Sequence, residues 1–261
     1  MTPFQTILYE KDGPIVYITL NRPRVLNALS IQMRDDLYVA LQAVADDPEV
    51  RVAVFQGAGE RAFCAGADIS EFGSAPSYVI ARRSRWQRDL WGLFLAQEKP
   101  LIAAIHGYAL GAGLELSLCC DLRVASQDAL FGLPEVNLGM IPSAGGTQTL
   151  PRHIPPGKAM EMVMNGDRIS ADEALHLGLV NRVVPRPHLL ATAQEMARNI
   201  LGRSPLAVRL AKAAVARGLD MSLEAGLSLE ARLWSQAIAS ADAREGVLAV
   251  LQGRPPRFET S

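Results

Sequence analysis

Two short segments of this chain place small residues where a ligand could meet the backbone. They are residues 63–69 (FCAGADI) and residues 106–116 (HGYALGAGLEL). Small residues let a backbone N–H face a ligand with no side chain in the way. The second segment follows a strand-like apolar run and opens a helix-like stretch, so its first N–H groups are unpaired and lie at the positive end of a helix dipole.

Two such N–H donors that converge on one point would form an oxyanion hole. Glu115 lies three residues after Ala112, on the same face of the predicted helix. Leu114, Leu116 and Leu118 surround it in the sequence, an apolar setting in which an idle carboxylate would be costly. A carboxylate beside an oxyanion hole predicts acid–base chemistry on a carbonyl compound.

Further motifs follow in order along the chain. They are LNRP (20–23), LNAL (26–29), FGLPE (131–135), LGMIP (138–142), AGGTQ (144–148), GLV (178–180) and SADAREG (240–246). With the two segments above, they resemble the enoyl-CoA hydratase/isomerase (crotonase) superfamily over nearly the whole chain, and its short-chain hydratases most. The resemblance implies an α/β fold, with a spiral core of repeated ββα units over residues 1–185 and a C-terminal helical, trimerising region over residues 186–261.

The resemblance also implies the site residues. Ala67 and Ala112 would donate the oxyanion N–H groups, and Glu115 and Glu135 would be the catalytic glutamates. Substrate contacts would come from Ala65, Ala67, Asp68, Ile69, Ser70, Ala112 and Ser143. Asp68 is also interpreted as a fold determinant.

Two nearby buried carboxylates resist double ionisation, so one tends to hold a proton at neutral pH. An enzyme that adds water needs such a pair, one group to take a proton from water and one to give a proton to carbon. We therefore predict reversible syn addition of water to a trans-2-enoyl-CoA, with no metal and no cofactor beyond the coenzyme A of the substrate. An isomerase or another acyl-CoA dehydratase of the superfamily stays open, as do acyl length and pathway, although fatty-acid β-oxidation is typical.

Three positions depart from the pattern or vary within it. Ser143 stands where the hydratase pattern often has Gly, Ser70 where a relative can have Lys near the adenine of CoA, and His106 where Asn is also common. Ser143 bears on substrate preference and rate. For His106 a structural role in the turn is favoured over a catalytic one.

Composition excludes several classes of protein. The chain has 261 residues, a net charge of −1 and 49% hydrophobic residues, which argues against disorder and against nucleic acid or an anionic membrane as a partner. The N-terminus lacks the pattern of a signal peptide, so a cytoplasmic location is expected. The three cysteines have no metal-ligand spacing and are interpreted as buried thiols.

Two other functions are weaker fits. Residues 111–116 begin like a dinucleotide-binding fingerprint, but Leu116 stands in place of its third glycine. RNA binding, known for one relative with a Lys-rich N-terminal helix, is disfavoured because the corresponding stretch here is acidic and has no Lys. The one basic cluster, residues 82–85 with Arg88, is interpreted as a solvated helix face, with ligand phosphates or another subunit as the alternatives.

The hydrophobic pattern predicts strands over residues 15–20, 50–55, 101–105 and 121–125 and near residue 130. It predicts helices over 30–45, with Ser30 as N-cap, and over 87–97. Beyond Pro185 the pattern is helical over residues 189–201, 205–217, 223–239 and 242–251. Trp234 is interpreted as a packing residue, and the helical tail is expected to build a homotrimer or a hexamer made of two trimers.

Overall fold

The computed structural model describes residues 4–72 and 88–258, so the basic residues 82–85 lie outside the described part. Six strands form the first sheet: β1 (Ile7–Asp12), β2 (Ile15–Leu20), β3 (Val52–Gly57), β5 (Leu101–Ile105), β7 (Leu122–Ser126) and β10 (Arg182–Val184). Four form the second: β4 (Ala62–Cys64), β6 (Tyr108–Leu110), β8 (Leu130–Gly132) and β9 (Arg168–Ser170). Among the strands of the described residues, only β1 and β9 pair antiparallel with their neighbours.

The chain passes repeatedly from the first sheet to the second. Strands β3, β5 and β7 are each followed by β4, β6 and β8, and the chain then returns to the first sheet. Each such turn adds one parallel strand to each sheet. The α/β spiral of ββα units predicted from the resemblance is thereby confirmed.

Ten α-helices are described. They are α1 (Ile31–Asp46), α2 (Leu90–Ala96), α3 (Ala112–Leu118), α4 (Gly146–His153), α5 (Pro156–Asn165), α6 (Ala171–His176), α7 (Leu189–Leu201), α8 (Pro205–Gly218), α9 (Leu223–Ile238) and α10 (Ala241–Leu251). Ser30 caps α1 as predicted, its hydroxyl accepting the N–H of Met33 at 3.2 Å. Helix α2 begins later than predicted, because Asp89 caps it by accepting the N–H of Gly92 at 3.0 Å.

Alternate residues of the first sheet are buried on its two faces. Val16 and Ile18 of β2 point into the main core, whereas Ile15 and Tyr17 pack against α7. Helix α7 covers that face with Leu189, Ala193, Met196 and Ala197, which recur at helical spacing. The predicted boundary between residues 185 and 186 thus falls just after β10, and the first helix beyond it packs on the sheet.

The last three helices bury little of their apolar surface. Leu229 is buried in α9, whereas Trp234 of the same helix is 63% exposed in the single chain, so its interpretation as a packing residue stays a prediction. Leu223 and Val250 are more exposed still, at 79% and 82%. None of the helices in the described residues is long and apolar enough to cross a membrane.

Candidate active site

The site lies where three parallel strands of the second sheet end. Strand β4 runs into the turn at residues 65–68, β6 into Gly111 and helix α3, and β8 into a 3-10 helix at Pro134–Leu138. Because the carboxyl ends of parallel strands meet at one edge of a sheet, these three segments converge. The pairing of β4 with β6 and of β6 with β8 therefore brings the predicted site segments together.

The first two turns are in close contact. A Cβ on Gly111 would lie 3.6 Å from the Cα of Gly66. One residue into α3, a Cβ on Gly113 would overlap the carbonyl oxygen of Cys64, so only glycine lets the helix approach β4 this closely. The glycines of the second motif thus set the distance between the two turns.

The N–H groups of Ala67 and Ala112 are available to a ligand. Within residues 4–72 and 88–258, neither donates a hydrogen bond to the protein. Ala112 is the first residue of α3, whose N-cap Gly111 has a φ of 51° and no side chain that could accept that N–H. Both alanines line one pocket of about 120 Å³, as the predicted oxyanion hole requires.

Glu115 lies in the first turn of α3 and is only 2% exposed. Its Oε1 accepts the N–H of Ala144 at 2.8 Å and that of Gly146 at 2.7 Å. Gly145, between these donors, has a φ of 103°, which only glycine adopts readily. The turn before α4 therefore fixes the Glu115 carboxylate at the wall of the pocket.

Glu135 belongs to the 3-10 helix that follows β8. Its Oε2 is buried and has no hydrogen-bond partner among the described residues. Burial raises the pKa of Glu135 to about 7, and the negative charge of Glu115 acts in the same direction. Glu135 is thus prepared to hold a proton near neutral pH.

Most of the residues predicted from the sequence line this pocket. They are Ala65, Ala67, Ile69, Ala112, Glu115, Glu135 and Ser143. Five larger apolar residues of the pocket were not predicted: Phe72, Pro134, Leu138, Met140 and Ile141. The last three belong to the LGMIP motif, so the motif itself was the available signal.

Asp68 and Ser70 do not line the pocket. The Oδ2 of Asp68 pairs with Nη2 of Arg22 at 2.9 Å, and its Oδ1 accepts the hydroxyl of Ser70 at 2.6 Å. Their predicted contacts with substrate stay predictions, while the carboxylate of Asp68 has the structural contacts that the fold-determinant interpretation requires.

The remaining candidates do not line the pocket. Cys64 is fully buried, and burial raises its pKa to about 11, so its thiol stays protonated at neutral pH. Cys119 and Cys120 are buried and free as well. His106 is buried before β6, at the opposite end of that strand from the site, and burial lowers its pKa. The described residues contain no group of three or more side chains that could hold a metal ion.

Comparison with known proteins gives a consistent result. Residues 10–261 match the sequence profile described as enoyl-CoA hydratase/isomerase. The chain is 39% identical over 255 residues to the crotonyl-CoA hydratase of Syntrophomonas wolfei, covering 98% of each. It is 37% identical over 248 residues to the short-chain-enoyl-CoA hydratase of Clostridium acetobutylicum, covering 95% of each. The crystal structure of an enoyl-CoA hydratase subunit from Geobacillus kaustophilus superimposes with a TM-score of 0.92 at 43% identity, covering 99% of both chains.

Proposed function

The chain belongs to the enoyl-CoA hydratase/isomerase family, and we propose that it is an enoyl-CoA hydratase. It adds water reversibly across a trans-2-enoyl-CoA and gives the 3-hydroxyacyl-CoA. The observation that carries this proposal is the pair Glu115 and Glu135 on one pocket with the N–H groups of Ala67 and Ala112. The names of the relatives support the same reaction.

The N–H groups of Ala67 and Ala112 would stabilise the developing enolate. When water attacks the β-carbon, the electron pair of the double bond moves towards the thioester and places negative charge on its oxygen. Fixed donors meet that charge without reorganising, and they matter more for the enolate than for the neutral carbonyl. Their location at a helix start and in a turn of the neighbouring strand keeps them rigid.

The two glutamates would divide the proton transfers. Glu115, held by two N–H donors, takes a proton from the attacking water. Glu135, whose pKa is raised to about 7, gives a proton to the α-carbon. We propose that the two carboxylates, which border the same pocket, act from one face of the double bond, which would give the predicted syn addition.

The reaction needs no cofactor in this scheme. Hydration adds H and OH to a carbon–carbon double bond, and the thioester with its oxyanion hole accepts the electron pair in the intermediate. We therefore propose that coenzyme A enters only as part of the substrate.

A panel of thioesters tests the function. Crotonyl-CoA, longer enoyl-CoA and branched enoyl-CoA would each be incubated with the protein while the enoyl absorbance is followed and the products are identified. A hydratase gives 3-hydroxyacyl-CoA. A shifted double bond without added water would instead identify an isomerase, and the best member of the panel would define acyl length.

We also propose a homotrimer, alone or as a hexamer of two trimers. Large apolar side chains of α8 and α9 remain exposed in the single chain, Val215 by 67% and Leu223 by 79%. An apolar surface of this extent is typical of contacts between subunits. Light scattering at micromolar concentration should give a trimeric or hexameric mass, and a monomer would contradict the proposal.

The cytoplasmic location also stays a prediction.

A further inference from the structure

The turn that carries Ala67 is hydrogen-bonded to a second segment on its outer side, residues 26–29. Ala65 donates its N–H to the carbonyl of Leu26 at 3.0 Å, and Asp68 donates to that of Leu29 at 3.1 Å. Leu29 in turn donates to the carbonyl of Gly66 at 2.8 Å. The backbone on both sides of Ala67 is therefore fixed by this one supporting segment.

The supporting segment has an unusual backbone. Leu26 and Asn27 have φ values of 55° and 56°, and in the described residues no other non-glycine residue has a positive φ. Such a conformation is costly for a branched side chain and persists only where its surroundings enforce it. Asn27 is fully buried, and its amide donates to the carbonyls of Ala58 and Ala62 at 2.9 and 2.8 Å.

Arg22 joins the supporting segment to the turn. Its backbone N–H donates to the side-chain oxygen of Asn27 at 2.9 Å, and its Nη1 donates to the carbonyl of Ala28 at 2.6 Å. Its Nη2 pairs with Asp68, the residue directly after Ala67, at 2.9 Å. The side chains of Arg22 and Asp68 are only 24% and 14% exposed, so water screens this ion pair less than a surface pair.

We propose that Arg22 is a positioning residue for the oxyanion hole. Through its contacts with Asp68 and with the carbonyl of Ala28, it fixes the direction in which the N–H of Ala67 points. Arg22 does not line the pocket and touches no reacting atom. Its effect is on geometry alone, and a donor displaced by a fraction of an ångström loses much of its value in the transition state. This inference rests on the proposed hydratase function.

The test separates kcat from ground-state binding. Arg22→Met keeps an unbranched apolar stem but removes all the donors of the side chain. It should lower kcat for crotonyl-CoA about tenfold or more, while the inhibition constant of saturated butyryl-CoA changes less than about threefold. Arg22→Lys keeps the charge, but an ammonium group lacks the planar guanidinium that reaches both the carbonyl of Ala28 and the carboxylate of Asp68. A kcat between those of wild type and Arg22→Met is therefore expected.

A matched control removes an ion pair elsewhere. Arg182 pairs with Glu195 at 2.9 Å, away from the pocket. Arg182→Met should leave kcat within about twofold of wild type, when all variants are assayed well below their melting temperatures. Asp68→Asn, which retains an oxygen acceptor for Arg22, should lose less activity than Asp68→Ala.

Several results would overturn the inference. One is a kcat for Arg22→Met within about twofold of wild type, and another is an equal loss in Arg182→Met. A loss confined to inhibitor affinity would do the same. Failure of the proposed function looks different, because the wild-type protein itself would then not hydrate crotonyl-CoA.

Discussion

A Cβ placed on Gly111 would lie 2.8 Å from Oε1 of Glu135, closer than a carbon and a carboxylate oxygen can pack. The N-cap of α3 thus adjoins the proposed proton donor and also precedes the proposed oxyanion donor Ala112. The turn at Gly111 and the side chain of Glu135 are therefore in direct proximity, and a single methyl group at position 111 would disturb both.

Gly111→Ala should therefore lower kcat by at least about tenfold by displacing the Glu135 carboxylate. Its φ of 51° and ψ of −126° lie in a region that favours glycine, so the substitution adds a backbone penalty that alone would reduce stability but not turnover. Gly178→Ala is the matched control, since Gly178 has a φ of 77° and no atom within 4 Å of the added Cβ. Thermal melting should show a loss in both variants. Equal kcat values in the two would show that Gly111 does not define the position of Glu135.

The raised pKa of Glu135 predicts the pH dependence of hydration. Its acid form gives the proton to the α-carbon, so kcat/KM should fall as pH rises through about 7. Initial rates between pH 5 and 9, measured where the wild-type protein is stable, would reveal this fall in kcat/KM. If kcat/KM did not change between pH 6 and 9, Glu135 would not be the group that donates the proton to the α-carbon.

The stability of the fold should also depend on pH through Glu135, and the direction of this dependence follows from the raised pKa. A carboxyl whose pKa is higher in the folded state than in the unfolded state stabilises the fold below its unfolded pKa, and this contribution is lost as pH rises. Glu135→Gln should consequently raise the Tm relative to wild type at pH 8, and the difference should vanish near pH 4. A lower Tm for the variant at pH 8 would contradict burial as the cause of the shift.

Ala67→Pro tests the oxyanion hole at the donor itself. The substitution removes an N–H that makes no hydrogen bond to the described part of the protein, so the fold loses no bond with it. We expect a loss of about 10²–10³ in kcat, with a much smaller change in the affinity for saturated acyl-CoA. Melting curves are needed to verify the fold. A well-folded variant with unchanged turnover would place the hole elsewhere.

The sequence predicted most of the long elements and few of the short ones, and it missed β1, with six residues, and α5, with ten. Strand β2 and helix α7 occur at the predicted residues because their apolar patterns extend over six and thirteen residues. Strands β4, β6, β9 and β10 have three residues each, too few for a periodic pattern, and their pairing is set by distant segments. Of the second sheet, which positions the site, the hydrophobic pattern indicated only β8, so the rest of that sheet depended on the resemblance.

Among the site residues too, some could be predicted from the sequence and others could not. Glu115 could be singled out because an acidic residue among leucines is costly unless it is used, and the structure provides its two N–H donors. Arg22 carried no such signal, because an arginine near the start of a chain is usually a surface residue. Its contacts with Ala28 and Asp68 exist only once residues 20–29 and 63–68 are brought together.

The central claim, hydration by two glutamates, is tested most directly by the initial rate at which crotonyl-CoA loses its enoyl absorbance. Wild-type protein should turn over with formation of 3-hydroxybutyryl-CoA, and Glu115→Gln and Glu135→Gln should each lower kcat by about 10² or more. Near wild-type turnover in either well-folded variant, or no turnover of any enoyl-CoA by the wild-type protein, would contradict it.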